Sequence, residues 1–186
     1  MKNIIFLLLF PFTSCSLIFG IKDINKVSSI DYQNELKILN NSKKHVEIYS
    51  DSNSFSKYVN MDLYQKELYQ PIQILYFHND SLISHHLNCY AKGGIGKLDW
   101  NTEFRFSTFP PKSAAMLRKN ITISSLKAIY PDIKNNKYTI IFFWSSMLFR
   151  QTKDAKMIIE RNLIENNVDL INVNINLINI NEFYKE

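Results

Sequence analysis

The alternation of apolar and polar residues predicts the regular structure of the C-terminal third of the chain. The segment YTIIFFW, 138–144, is an almost unbroken apolar run, which is typical of a strand buried on both faces. The segment VDLINVNI, 168–175, alternates as a second strand. Between them, 151–164 places apolar residues on one face of a helix, namely Ala155, Ile158, Ile159, Leu163 and Ile164. Strand, helix and strand in about forty residues predict a βαβ unit with parallel strands.

A β-hairpin is predicted near the middle of the chain. The segment IQILYF, 72–77, is rich in β-branched and aromatic residues, and 82–90 supplies a return strand. The residues between them, His78-Asn79-Asp80-Ser81, have turn chemistry, because Asn and Asp accept left-handed backbone angles at low cost. We expect this hairpin to complete the sheet from the N-terminal side of the βαβ unit.

The remaining pattern predicts a helix, two more strands and a short capped helix. Together with the βαβ unit and the hairpin, these elements indicate a mixed α/β domain over 31–186. The segment 52–69 is expected to be irregular or to form a short helix around MDLYQKELY, 61–69. The four further elements are a helix over 31–39, a strand over 45–50, a strand over 102–109 ended by two prolines, and a helix over 124–130.

The first fifteen residues carry a targeting pattern. Lys2 gives a short positive region, 4–12 form an apolar stretch of about nine residues, and small side chains at 13–14 precede Cys15. The segment resembles a bacterial lipobox of the Bacteroidota type, with Phe12 at a position where Leu or another aliphatic residue is usual. The resemblance implies cleavage after residue 14, acylation of Cys15, a lipidated N-terminus and tether over 15–30, and a location in the cell envelope.

Two alternatives remain for this segment. Apolar residues continue past Cys15, so 3–21 could be an uncleaved membrane anchor of about nineteen residues, just long enough to span a bilayer. An ordinary signal peptidase could also remove the whole stretch. All three interpretations place the rest of the chain outside the cytoplasm.

Charge and composition restrict the partners. The formal net charge of +5 over 186 residues is spread along the chain, so we do not expect nucleic acid as a partner. A hydrophobic content of 46% is ordinary for one globular domain. The expected partners are therefore the lipid membrane, through acylated Cys15, and a protein or small molecule that the sequence does not identify.

The chemistry-bearing residues form no recognisable catalytic, cofactor-binding or metal-binding set. Acylation of Cys15 would leave Cys89 as a lone thiol, which we expect in the core. The glycines at 93, 94 and 96 lack the spacing of a phosphate loop. Of the three histidines near the hairpin, His85 and His86 should point to opposite faces of a strand and His78 lies in the turn. We therefore expect solvated or hydrogen-bonded histidines and no metal.

The C-terminal third resembles the central βαβ unit of thioredoxin-like proteins. The resemblance runs through a strand ending in Phe143-Trp144, the loop SSMLFRQ, a helix and a strand with an Asn-rich end. In that family the redox cysteines lie four and seven residues after such a tryptophan, where this chain has Leu148 and Gln151. The family's cis-proline comes later in the chain, but every proline here precedes Trp144. The resemblance thus implies a redox-inactive or incomplete member.

Two functions follow from these observations. The first is a membrane-anchored binding or interaction module, for which Tyr58, Tyr64 and Tyr69 could form an aromatic recognition surface. The second is a thiol-dependent envelope enzyme or degenerate thioredoxin-family member that uses Cys89. We expect the first and not an enzyme. Arg150, near the helix start, could bind an anion but is expected to be a solvated surface residue.

Overall fold

The computed structural model describes residues 20–23, 27–39, 45–61, 71–87, 120–163 and 168–174. In these ranges it contains four α-helices, one 3₁₀ turn and five strands that form one mixed sheet. The predicted α/β class is therefore confirmed. In chain order the elements are α1 Ser29–Leu39, β1 His45–Tyr49, α2 Ser52–Val59, β2 Gln73–His78, β3 Ser81–Leu87, α3 Ile123–Lys127, β4 Tyr138–Trp144, the 3₁₀ turn Ser146–Leu148, α4 Phe149–Leu163 and β5 Val168–Asn174.

The strand order across the sheet is β1-β5-β4-β2-β3. Strands β1, β5 and β4 are parallel, with Tyr138 opposite Val168 at the start of the β4–β5 pair. Strand β2 runs antiparallel to β4 and to β3. The hairpin therefore does complete the sheet beside the strand–helix–strand unit, as the sequence predicted. Its turn includes Asn79 at φ +52°, the left-handed conformation that asparagine tolerates well.

Strand β4 lies at the centre of the sheet and divides the hydrophobic core in two. Its alternate side chains point to opposite faces, with Ile140, Phe142 and Trp144 on one and Ile141 and Phe143 on the other. The first face packs against α1 and α4, and the second against α2, α3 and the segment that follows α3. Burial on both faces explains why this strand has a continuous apolar sequence instead of an alternating one.

Polar side chains fix the starts of the helices. Asp51 caps α2 by accepting a 2.6 Å hydrogen bond from the backbone N–H of Ser54, and this bond lowers the pKa of the Asp51 carboxyl. Thr122 and Ser125 form a reciprocal capping box at α3. Helix α4 begins at Phe149, two residues before the predicted start, and the 3₁₀ turn Ser146–Leu148 leads directly into it.

Packing of the domain begins before residue 31. Helix α1 starts at Ser29, and Val27 is buried in the core on the α1–α4 face. The described part of the predicted tether thus contacts the domain instead of standing away from it. The predicted strand over 102–109, the end of the return strand at 88–90, the segment around 62–69 and the Asn-rich end after 174 lie outside the described residues.

Candidate functional site

The loop between β4 and α4 lies at the carboxyl ends of the parallel strands, the edge where open α/β sheets usually bind ligands. Ser145 ends the extended backbone of β4, and its side chain accepts a 3.2 Å hydrogen bond from the backbone N–H of Met147. The backbone N–H of Leu148 donates to the carbonyl of Ser145 at 3.1 Å. These bonds close the loop into a tight turn that leads directly into α4.

Leu148 and Gln151, which take the redox positions in the resemblance, have different environments. Leu148 is 2% exposed and belongs to the core on the α1–α4 face. Gln151 is half-buried in the first turn of α4, and Arg150 beside it is exposed, as expected. At these two positions the described loop therefore presents a buried alkyl group and a half-buried amide.

The segment Gly20–Asp23, which we call the N-terminal strap, crosses this loop. The backbone N–H of Lys22 donates to the carbonyl of Met147 at 2.8 Å. The Lys22 ammonium lies 2.7 Å from Oε1 of Glu35, whose side chain is 4% exposed, and 5.6 Å from the centre of the Phe149 ring. One backbone bond, one ion pair to a buried carboxylate and one cation–π contact thus hold the strap to α1 and to the start of α4.

A buried polar group lies under the same edge. The indole N–H of Trp144 donates to Oε1 of Glu47 on β1 at 3.0 Å, and Tyr32 of α1 stacks on the indole ring at a centroid distance of 6.5 Å. The Lys156 side chain is 3% exposed, donates to the carbonyl of Leu39 and lies 3.8 Å from Oε1 of Glu160.

Burial and nearby charge act on Lys156 in opposite directions. Burial lowers the pKa of its ammonium, while Glu160 and Glu47 raise it again. Burial also raises the pKa of Glu160, and Lys156 partly offsets that shift. The Leu39 carbonyl is at the C-terminal end of α1, where a cation is favoured by the helix dipole. Lys156 therefore has a structural role, because its contact with the Leu39 carbonyl links the end of α1 to α4.

A second polar contact lies just beyond β1. The hydroxyl oxygens of Ser50 and Tyr130 are 2.8 Å apart, and both residues are buried. Burial raises the pKa of Tyr130 to about 12. The phenol is thus neutral at physiological pH, and its contact with Ser50 ties the end of β1 to the segment after α3.

The histidines are less exposed than the sequence predicted. His85 and His86 do point to opposite faces, and both are buried, so of the two expected states, solvated or hydrogen-bonded, burial excludes the solvated one. The ring nitrogens of His86 have no hydrogen-bond partner among the described residues, and burial lowers its pKa. His78 ends β2, and its ring stacks on Tyr138 at 5.0 Å. Among the described residues, no group of three His, Cys, Asp or Glu side chains is placed to hold a metal ion.

Tyr58 is not part of an exposed recognition surface. Its side chain is fully buried, its hydroxyl donates to Oε1 of Gln73 at 2.7 Å, and its ring stacks on Phe143 at 4.4 Å. The expectation of exposure is therefore wrong for this tyrosine. The other residues singled out from the sequence lie outside the described ranges: Phe12, Cys15, Tyr64, Tyr69, Cys89, Gly93, Gly94 and Gly96.

Sequence reasoning missed Glu35 and Lys156, the buried charged residues of this edge, and Glu47, which is half-buried. For Glu35, the sequence signal was its position relative to the apolar residues of α1. Glu35 shares a helical face with Tyr32, Leu36 and Leu39, all of which are buried. A charged residue inside an apolar helical face indicates a partner of opposite charge, because burying a charge without a partner is costly.

A scan against protein-family models found no match, and searches of curated proteins and of solved structures also returned none. In the described part of the chain, every helix is too short or too polar to cross a membrane.

Proposed function

We propose that this chain is a membrane-anchored envelope lipoprotein whose domain binds a partner and does not catalyse disulfide exchange. The lipid anchor is assigned to Cys15, on the strength of the positive start, the short apolar stretch and the small residues before the cysteine. Cleavage before Cys15 would make this residue the N-terminus of the mature protein. The partners are then the lipid membrane and a protein or small molecule, without nucleic acid.

We also propose a thioredoxin-like architecture for the domain. Support comes from the parallel β4–α4–β5 unit and from the antiparallel hairpin on the other side of β4. It also comes from Trp144, the last residue of β4, followed directly by the turn into α4. The absence of a cis-proline and of both redox cysteines from the matching sequence positions makes this a redox-inactive version of that architecture.

The observation that carries the non-redox function is the burial of Leu148. A disulfide oxidoreductase needs an accessible thiolate at this position, and the side chain here is an alkyl group with 2% exposure. The strap over Met147 and the ion pair at Glu35 further occupy the loop with structural contacts. A binding role needs no accessible thiolate at this edge, so it is compatible with the burial of Leu148.

Intact-mass analysis of protein extracted from the membrane fraction tests the anchor. The expected mass corresponds to cleavage before Cys15 plus acyl chains, and the Cys15→Ala variant loses both changes. A full-length mass without acyl groups would overturn the lipoprotein proposal and favour an uncleaved anchor over 3–21.

A disulfide-reduction assay on the same material tests the non-redox function. We expect no turnover above the uncatalysed rate. Turnover that disappears in a Cys89→Ser variant would instead establish the thiol-dependent alternative.

A further inference from the structure

The covalent path from Cys15 to the folded domain is very short. The strap is bound to the domain through Lys22, and five peptide units separate the lipidated residue from Gly20, the first residue that the structure describes. Whatever their conformation, five residues span at most about 18 Å. A domain attached through this path cannot turn freely above a membrane, because the attachment point is itself fixed to one edge of the sheet.

That edge is the one formed by the β4–α4 loop. Gly20 lies beside the side chain of Arg150, and the backbone N–H of Lys22 donates to the Met147 carbonyl. The chain therefore leaves the domain beside the first turn of α4. The opposite end of the sheet, where Lys134 and Lys137 precede β4, lies further away by the length of a seven-residue strand, about 20 Å.

We propose that the lipidated protein is held with the carboxyl ends of β1, β4 and β5, and the first turns of α4, facing the headgroup layer of its own membrane. This orientation rests on the proposed acylation of Cys15. It places the β2–β3 turn and the start of β4 away from the membrane, as the surfaces open to a partner in solution.

We expect the short covalent attachment to the membrane, more than the charge of the domain surface, to set the orientation. The described exposed residues of the membrane-facing edge include the cations Lys22, Arg150 and Lys153 and the carboxylates Asp23 and Asp154, so the two signs nearly balance. Screening by salt acts on exposed charges and leaves covalent and buried contacts largely unchanged. We therefore expect the orientation to persist at high ionic strength.

Lysine footprinting on membranes tests the orientation with the native domain sequence. The acylated protein is reconstituted into phosphatidylethanolamine–phosphatidylglycerol vesicles and treated with an amine reagent coupled to a polymer too large to enter the gap below the domain. The reference is the unacylated protein mixed with the same vesicles, produced with Cys15→Ser and without residues 1–14 so that no apolar signal segment remains. Modification of Lys153 is expected to fall at least threefold on acylation, while modification of Lys134 is unchanged; both lysines are exposed in the structure.

A longer tether provides the matched control. A twenty-residue Gly/Ser insertion after Phe19 adds a flexible segment of about 25 Å root-mean-square length and should restore Lys153 modification. If the intact mass shows acylation but modification of Lys153 does not fall relative to the reference, the orientation alone is overturned, and selective protection of Lys134 would overturn it as well. An unacylated mass would overturn the proposed anchor and this orientation with it.

Discussion

The indole N–H of Trp144 and a carboxylate oxygen of Glu47 are 3.0 Å apart, although 97 positions separate the residues in sequence. The two lie on β4 and β1, which are not neighbours, because β5 runs between them. The contact thus crosses the whole parallel part of the sheet. It also gives a buried indole its hydrogen-bond acceptor.

Removal of that acceptor should destabilise the domain. In Glu47→Ala the buried indole N–H is left unsatisfied, which costs about 1–3 kcal/mol in free energy of unfolding. Glu47→Gln keeps a side-chain carbonyl in reach and should cost clearly less. Urea denaturation at neutral pH measures both. A Gln variant as unstable as the Ala variant would show that the negative charge matters more than the acceptor.

Lys156 should contribute through its packed chain more than through its charge. Lys156→Ala opens a cavity beside the core and is expected to cost about 2–4 kcal/mol. Lys156→Met keeps the volume and removes a desolvated ammonium, so it should cost less than about 1.5 kcal/mol. Exposed Lys153→Ala is the matched control and should stay within about 0.5 kcal/mol. Equal losses for Met and Ala would assign the effect to the Leu39 carbonyl contact.

Acid should destabilise the domain through His86. Burial lowers the pKa of this imidazole in the folded state, so below the ordinary value of about 6.5 the unfolded chain binds a proton that the folded chain does not. The free energy of unfolding therefore falls as pH drops through 6.5 toward the lowered folded pKa. Chemical denaturation between pH 7.5 and 5 measures this slope, which should be reduced in His86→Leu.

The neighbouring Ser84 provides a control for that slope. It is buried two positions away on the same face of β3 and does not titrate in this range. Ser84→Ala should therefore keep the pH dependence of the native chain. An unchanged slope in His86→Leu would show that other groups cause the acid sensitivity.

A thiol installed at position 148 should be unreactive in the folded protein. Leu148→Cys places the sulfur in the core, whereas Arg150→Cys, two residues away, places it in solvent. Peptide mapping after brief alkylation of each variant should show the thiol at position 150 modified at least tenfold faster than the thiol at position 148. Comparable rates would mean that the loop opens readily, and would weaken the non-redox proposal.

The elements that the sequence predicted well are those with strong, local patterns. The bounds of β4 follow from an apolar run that both cores require, and α4 follows from Ala155 and Ile159, which do lie in the core. The hairpin follows from its Asn-Asp turn. Each of these depends on neighbours within a few residues.

The parts that could not be predicted depend on residues far apart in sequence. The Glu47–Trp144 and Lys22–Glu35 contacts arise only when β1 and the strap are placed by the sheet. The burial of Tyr58, His85 and His86 also depends on neighbours that are distant in sequence or set by strand pairing. Tyr58 stacks on Phe143 of β4, and the two histidines lie opposite Leu75 and Ile74 of β2.

The place of β5 in the sheet has a consequence for biosynthesis. β5 lies between β1 and β4, yet it is the last described strand to leave the ribosome. Until β5 emerges, β1 and β4 lack the strand that lies between them. The β1–β5 pairing joins segments more than a hundred residues apart, so it requires the closure of a large loop. Because such long-range pairings form only after a large loop has been closed, we expect the parallel half of the sheet to form late in folding.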